Sequence, residues 1–198
     1  LVHVPAPGPL ALTTWLLAAV LTATVAARWG RAVALLLVAA GAGIALWPLM
    51  APDHGRLRVT FLDVGQGDAI LVEVPHGPRA LVDGGPGGGA RFDVGERVVA
   101  PFLWNRGIAR LDVIAATHAD ADHSGGLAAV LRGLRVGEIW ENGRWGVGHE
   151  DTVAALGRSG APRRVLTAGQ RLQLGEAAVT VLSPPADGPA AGKTKRAL

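Results

Sequence analysis

The chain has no cysteine, no tyrosine, one methionine and three phenylalanines in 198 residues. Without cysteine there can be no disulfide and no thiolate metal site, so a metal would have to be held by imidazole and carboxylate. The same absence is neutral about compartment. A strong net charge is also missing. Nineteen Lys and Arg against 16 Asp and Glu leave +3, which permits a nucleic-acid partner without demanding one. Charge is absent altogether from residues 9–27 and from residues 32–52.

Each uncharged run is about 20 residues, roughly 30 Å as a helix, which matches a bilayer's hydrocarbon core. The pattern predicts a transmembrane hairpin over residues 1–52, with spans at 9–27 and 32–51, and makes this a multi-pass plasma-membrane protein. A signal peptide is the rival for the first run, but no basic segment precedes it and a second apolar run follows at once. Arg28 and Arg31 fall in the predicted tight loop, while the first nine residues carry no Lys or Arg. The positive-inside rule then puts that loop in the cytoplasm and the following domain outside the cytoplasmic membrane. Trp29 and Trp47 suit interfacial anchors or helix packing equally well.

After residue 55 the texture changes. LRVTFLDV (57–64), AILVEV (69–74) and RALVDGG (79–85) read as a three-strand meander joined by GQGD and PHGP turns. Asp93 can cap a helix with Val94, Val98 and Phe102 on one face, which Pro101 should kink or end. LDVIAAT (111–117) is nearly continuous apolar sequence, as in a strand buried on both faces. LAAVL (127–131) reads as helix, VGEIW (136–140) as strand, and Asp151 as the cap of a short helix reaching Leu156. RVLT, RLQL and AVTVLSP supply late strands. The order predicts a mixed α/β domain with helices packed on a sheet.

The buried strand delivers THADADHSGG (117–126) at its C-terminal end. His118, Asp120, Asp122 and His123 are four potential ligands within six positions. Average composition gives the ordered pattern His-x-Asp-x-Asp-His by chance in roughly one chain of this size in several thousand. His118 and Asp120, at i and i+2, can converge on one ion while Asp122 and His123 turn to another. Mixed imidazole and carboxylate suit Zn²⁺ or Mn²⁺, and two such ions can deprotonate water and stabilise a phosphoryl or carbonyl oxygen. Gly125 and Gly126 would let the next helix start close by, its amides favouring an anion. The plain alternative is a polar turn. Asp83, before two glycines, reads by itself as a turn former. Asp63, Gln66 and Asp68 read equally as a tight Asx-type turn or as the edge of a site. His76 and His149 read as exposed loop histidines.

THADADHSGG resembles the ligand loop of the metallo-β-lactamase superfamily, His-x-His-x-Asp-His, with Asp120 in place of the second His. Together with FLDVGQGDAILVEVP (61–75), ALVDGG (80–85) and the Gly-Ile-x-x-Leu-Asp approach (107–112), it is similar to the ComEC family of DNA-internalisation proteins of bacterial competence. The two uncharged runs resemble the last membrane segments before that family's hydrolase-type domain. The resemblance implies that residues 57–198 are the N-terminal half of a metallo-β-lactamase αββα sandwich. It implies two divalent ions, zinc or manganese, one on His118 and Asp120 and the other on Asp122 and His123. Asp122 would also be catalytic, orienting the attacking water, and Asp83 would support the ligand loop from behind. Asp63, Gln66 and Asp68 would line the active-site edge.

Beyond VLSPP the same family implies a segment ending in Gly-Asp and a later His-His-Gly-Ser loop, and neither occurs in the 198 residues. The expectation is therefore an internal slice of a longer protein, with too few ligands for two firmly held ions. Part of the sheet's apolar face would be left uncovered. The implied function is DNA uptake, with the domain degrading the strand that is not imported. The alternatives are a non-catalytic DNA-binding or channel-associated domain, or an inactive fragment. DNA, the membrane and the rest of the channel protein are the expected partners, with no small-molecule cofactor. Arg106, Arg110, Arg132, Arg135, Arg144, Arg163 and Arg164 could meet phosphates, or simply form a solvated basic face.

Overall fold

A computed structural model describes residues 7–24, 28–50, 55–87, 92–146 and 148–185. The uncharged runs form two helices, α1 (Pro9–Thr24) and α2 (Arg28–Met50). They pack against each other through small buried residues, Ala11 and Ala18 on one and Ala34 and Ala45 on the other. Gly41 makes room for the Trp15 ring: a Cβ there would lie 2.4 Å from Trp15 Nε1, which donates to the Val38 carbonyl at 3.4 Å.

The two-span expectation finds no support here. Among the described residues no helix is long and apolar enough to cross a membrane. α1 has 16 residues, about 24 Å of helix against a core of about 30 Å. Residues 25–27 of the expected first span lie outside the described residues. The four residues expected as a basic loop, 28–31, are instead the first turn of α2. Helix formation itself follows the composition, since Ala and Leu dominate both segments and both are strong helix formers.

The α/β part is a six-stranded sheet in simple sequence order. β1 (Arg58–Phe61), β2 (Ile70–Glu73) and β3 (Arg79–Val82) form the antiparallel meander. β4 (Arg110–Ala116), β5 (Arg135–Glu141) and β6 (Arg163–Val165) continue it in parallel from β3. The first and third strands are shorter than their apolar runs, because Asp63 and Asp83 open turns. β4 lies between β3 and β5, which explains its unbroken apolar sequence.

One face of the sheet is covered by helices. Asp93 caps as expected, its Oδ1 accepting the Glu96 amide at 3.0 Å. The helix then opens with a π turn, Gly95–Val99, before α3 (Ala100–Asn105). The Ala100 amide bonds back five residues to Gly95, so the register changes immediately before Pro101, which has no amide to offer. Pro101 is thus carried inside the helix rather than ending it. α4 (Ala121–Ser124) and α5 (Leu127–Gly133) follow β4. Residues 127–131 are all buried, and α6 (Glu150–Arg158) packs on α5. Asp151 does not cap α6: the cap position falls two residues earlier, at His149, and Asp151 lies in the first turn.

The opposite face is not left bare. β7 (Arg171–Leu174) and β8 (Ala177–Thr180) form a separate antiparallel hairpin, with Gly175 in its turn. Leu174 from the hairpin joins Val74, Ala80, Val113, Trp140 and Leu166 in one apolar cluster, with Val179 and Val181 against it. The expectation of an uncovered face on β4 is therefore corrected: RLDVIAA is buried or half-buried at every position after Arg110. A cavity of about 680 Å³ opens between the hairpin side and the C-terminal ends of β4 and β5.

Candidate metal centre

The parallel strands β3 and β4 end side by side, and the candidate ligands leave from those ends. Asp83 follows β3 with φ +57°, a left-handed conformation that Asp tolerates better than most residues. That turn aims a 2 % exposed carboxylate across to the start of the ligand loop. Its Oδ1 accepts the Thr117 amide at 2.8 Å, and its Oδ2 accepts the Thr117 hydroxyl at 2.6 Å. The same Oδ2 lies 3.1 Å from His123 Nδ1. The Thr117 hydroxyl is also 2.8 Å from His118 Nδ1. A buried carboxylate without such partners would cost several kcal/mol, and these contacts supply the hydrogen bonds that its burial requires.

The His118 and His123 rings lie with centroids 4.0 Å apart, tilted by 46° to each other. Asp83, His118 and His123 can each present a donor atom such that all three lie within 4.8 Å of one another. Asp120 is largely exposed, with Oδ2 3.6 Å from His118 Nε2: too long for a hydrogen bond, yet near enough to share an ion. Asp122 is half-buried in the single turn of α4, whose first turn it makes acidic. Two imidazoles with adjacent carboxylates and no sulfur form a donor set fitting a borderline divalent cation such as zinc or manganese.

Glycines set the spacing. A Cβ on Gly67 would fall 1.8 Å from the Asp122 carbonyl oxygen, and Gly67 has φ +105°. The GQGD turn therefore presses directly against the ligand loop, and no side chain fits between them. Gly84, Gly87, Gly95, Gly125 and Gly126 crowd one another in the same way; a Cβ on Gly126 would lie 2.1 Å from the Gly84 carbonyl oxygen. The Gly125 and Gly126 amides bond to the Ala121 and Gly85 carbonyls. They are thus engaged in backbone packing, where the two glycines let α5 start beside the ligand loop.

Of the GQGD neighbours, Asp68 comes closest, with Oδ2 3.5 Å from His123 Nδ1. Asp63 makes the Asx-type turn, its Oδ1 accepting the Gly65 amide at 3.3 Å. Gln66 is exposed on the same turn. His76 is exposed, whereas His149 is half-buried edge-on to Trp145, so its reading as a free loop residue is corrected. Three of the arginines considered for phosphate face acids instead: Arg163 on Glu141, Arg164 on Glu138 and Arg110 on Asp112.

Two contributors went unnoticed in the sequence. Thr117 closes the apolar strand pattern, and a hydroxyl directly preceding the first ligand is its one signal in the sequence. Asn142 follows β5 and donates from Nδ2 to the Thr117 carbonyl at 2.9 Å, a contact across 25 residues without any sequence signature. Beside it Glu141, almost fully buried, takes two bonds of 2.8 Å from Arg163 and one from the Trp145 indole. The bidentate contact from Glu141 raises the Arg163 pKa above its ordinary value.

Comparison with known proteins agrees with this arrangement. The chain is 33 % identical over 146 residues to ComE operon protein 3 of Bacillus subtilis (strain 168), a match spanning 67 % of this chain and 19 % of that protein. Residues 62–192 match the profile described as the metallo-beta-lactamase superfamily, a range that contains the GQGD turn, Asp83 and the whole ligand loop. With two thirds of its length matched, the chain belongs to the metallo-β-lactamase superfamily.

Proposed function

We propose that the chain is part of a ComEC-like, metal-dependent phosphodiesterase that acts on DNA during uptake by bacteria and degrades the strand that is not imported. The carrying observation is the convergence of His118, His123 and Asp83 at the C-terminal edge of parallel strands, on a loop that also bears Asp120 and Asp122. The name of the Bacillus relative supports the competence setting. That relative is about five times as long as the matched segment, so the role of the whole protein enters here as proposal.

His118 with Asp120 would hold one divalent ion, and Asp122 with His123 a second. Bound there, such ions lower the pKa of water and stabilise charge on a phosphoryl oxygen. The chain itself fixes the His123 ring through Asp83 and brings Asp68 to the same edge, and Asp122 would orient the attacking water. Four donors are fewer than two tetrahedral ions require, so occupancy in this chain alone is expected to be weak. The sheet with its β7–β8 hairpin would be the first half of an αββα sandwich.

The hairpin is proposed to lie in or on the cytoplasmic membrane, with the α/β domain on the outer side. Leu10, Leu16, Leu17, Leu35, Leu36 and Trp47 are each more than half exposed, a surface that calls for an apolar surrounding. Incubation with single-stranded DNA and Zn²⁺ or Mn²⁺ tests the activity. Cleavage that a chelator stops, and that Asp122→Ala lowers by about 100-fold or more, supports it. Salt-sensitive DNA binding without cleavage, indifferent to chelator, would replace it with a gripping role.

A further inference from the structure

We propose that Thr117 is a positioning residue that passes the hold of Asp83 on to His118, so that one buried carboxylate sets the ligand nitrogen of both histidines. The inference rests on the metal-centre reading but concerns only hydrogen bonds within the chain.

The hydrogen-bond inventory forces the direction. The Thr117 hydroxyl, 2.6 Å from Asp83 Oδ2, gives its single proton to the carboxylate. Its oxygen then has only lone pairs left for His118 Nδ1 at 2.8 Å. His118 must therefore carry its proton on Nδ1, which leaves Nε2 as the bare nitrogen, facing Asp120. His123 reaches the same end by one step fewer, with Nδ1 donating directly to Asp83 Oδ2 at 3.1 Å. In both rings the nitrogen available to a metal is Nε2, the one that is usually protonated in free neutral imidazole side chains.

Thr117 is held on every polar atom. Its amide and hydroxyl bond to Asp83, and its carbonyl accepts from Asn142 at 2.9 Å. This three-point attachment fixes where His118 begins, and Asn142 supplies the part that comes from β5. A metal-ligating histidine is ordinarily oriented by a partner on its other ring nitrogen, and loss of that partner lowers metal affinity by about 10–100-fold. Here the partner of His118 is a neutral hydroxyl, polarised by the carboxylate behind it.

Long-range ¹H–¹⁵N spectra of the metal-free full chain, labelled at histidine and recorded where both rings are neutral, read the tautomers directly. Wild type should show the Nδ1–H form for both His118 and His123. Thr117→Val keeps the branched shape without the hydroxyl. In it His118 should revert towards the Nε2–H form while His123 stays as it was, and Thr117→Ser should restore the wild-type pattern. Calorimetry with zinc ions should then show about 10–100-fold weaker binding for Thr117→Val and near-normal binding for Thr117→Ser. An Nε2–H tautomer for His118 in wild type overturns the proposal even if Thr117→Val does not fold. So does an unchanged His118 spectrum in a folded Thr117→Val. A chain with this tautomer pattern that fails to cleave DNA would count against the hydrolase reading and leave the relay standing.

Discussion

Asp83 concentrates the residue-scale energetics: one carboxylate, 2 % exposed, accepts two bonds from Thr117 and faces His123. Asp83→Asn keeps the size and the left-handed tolerance but turns one acceptor into a donor. We expect a loss of about 1–3 kcal/mol in urea unfolding, together with about 10–100-fold weaker zinc binding. Unchanged zinc affinity would remove Asp83 from the support of the site. The ligands were legible in the sequence because their ordered spacing in residues 118–123 is improbable by chance. The direction of Asp83 was not, since it depends on a single φ of +57°. Thr117 and Asn142 were illegible for a related reason: their contacts are set by the parallel pairing of β3, β4 and β5, which composition does not report.

At the scale of elements, the strand order rests on contacts that can be broken one at a time. Arg163 in β6 ties down Glu141 at the end of β5, next to Asn142. Arg163→Ala leaves a buried carboxylate with only the Trp145 indole. The expected destabilisation is about 2 kcal/mol, below the figure for a fully buried pair because the guanidinium is a third exposed. Thermal melts would show it, and Arg163→Ala/Glu141→Gln should recover part of the loss. Most elements were readable from period and turn chemistry. β4 follows from its apolar run, and the capping of the π turn and α3 from Asp93. The exceptions have local causes. A π turn absorbed Pro101, and α6 began two residues early with Glu150, whose pKa is lowered chiefly by the Gly148 amide. The cover over the second sheet face was missed because β7 and β8, four residues each, look like isolated short strands until they pair.

For the whole molecule, two surfaces of opposite character carry the account. The helical hairpin exposes leucines that water should not tolerate in bulk, although no described helix is long and apolar enough to cross a membrane. If that surface meets lipid, Leu16→Lys/Leu36→Lys should move the chain from the floating to the soluble fraction in liposome flotation. Equal flotation would assign the surface to a protein partner. The length of the uncharged runs made helices legible, but not what surrounds them, because an apolar face is the same whether lipid or protein covers it. The α/β domain presents the metal centre, and on it depends every functional statement made for this superfamily member. Equilibrium dialysis against ⁶⁵Zn²⁺ is the most direct test, comparing the wild-type chain with His118→Ala/His123→Ala at matched circular dichroism. At zinc concentrations high enough to load a weak site, the wild type should bind measurably more zinc than the double variant; equal binding by both would contradict a metal centre at His118 and His123.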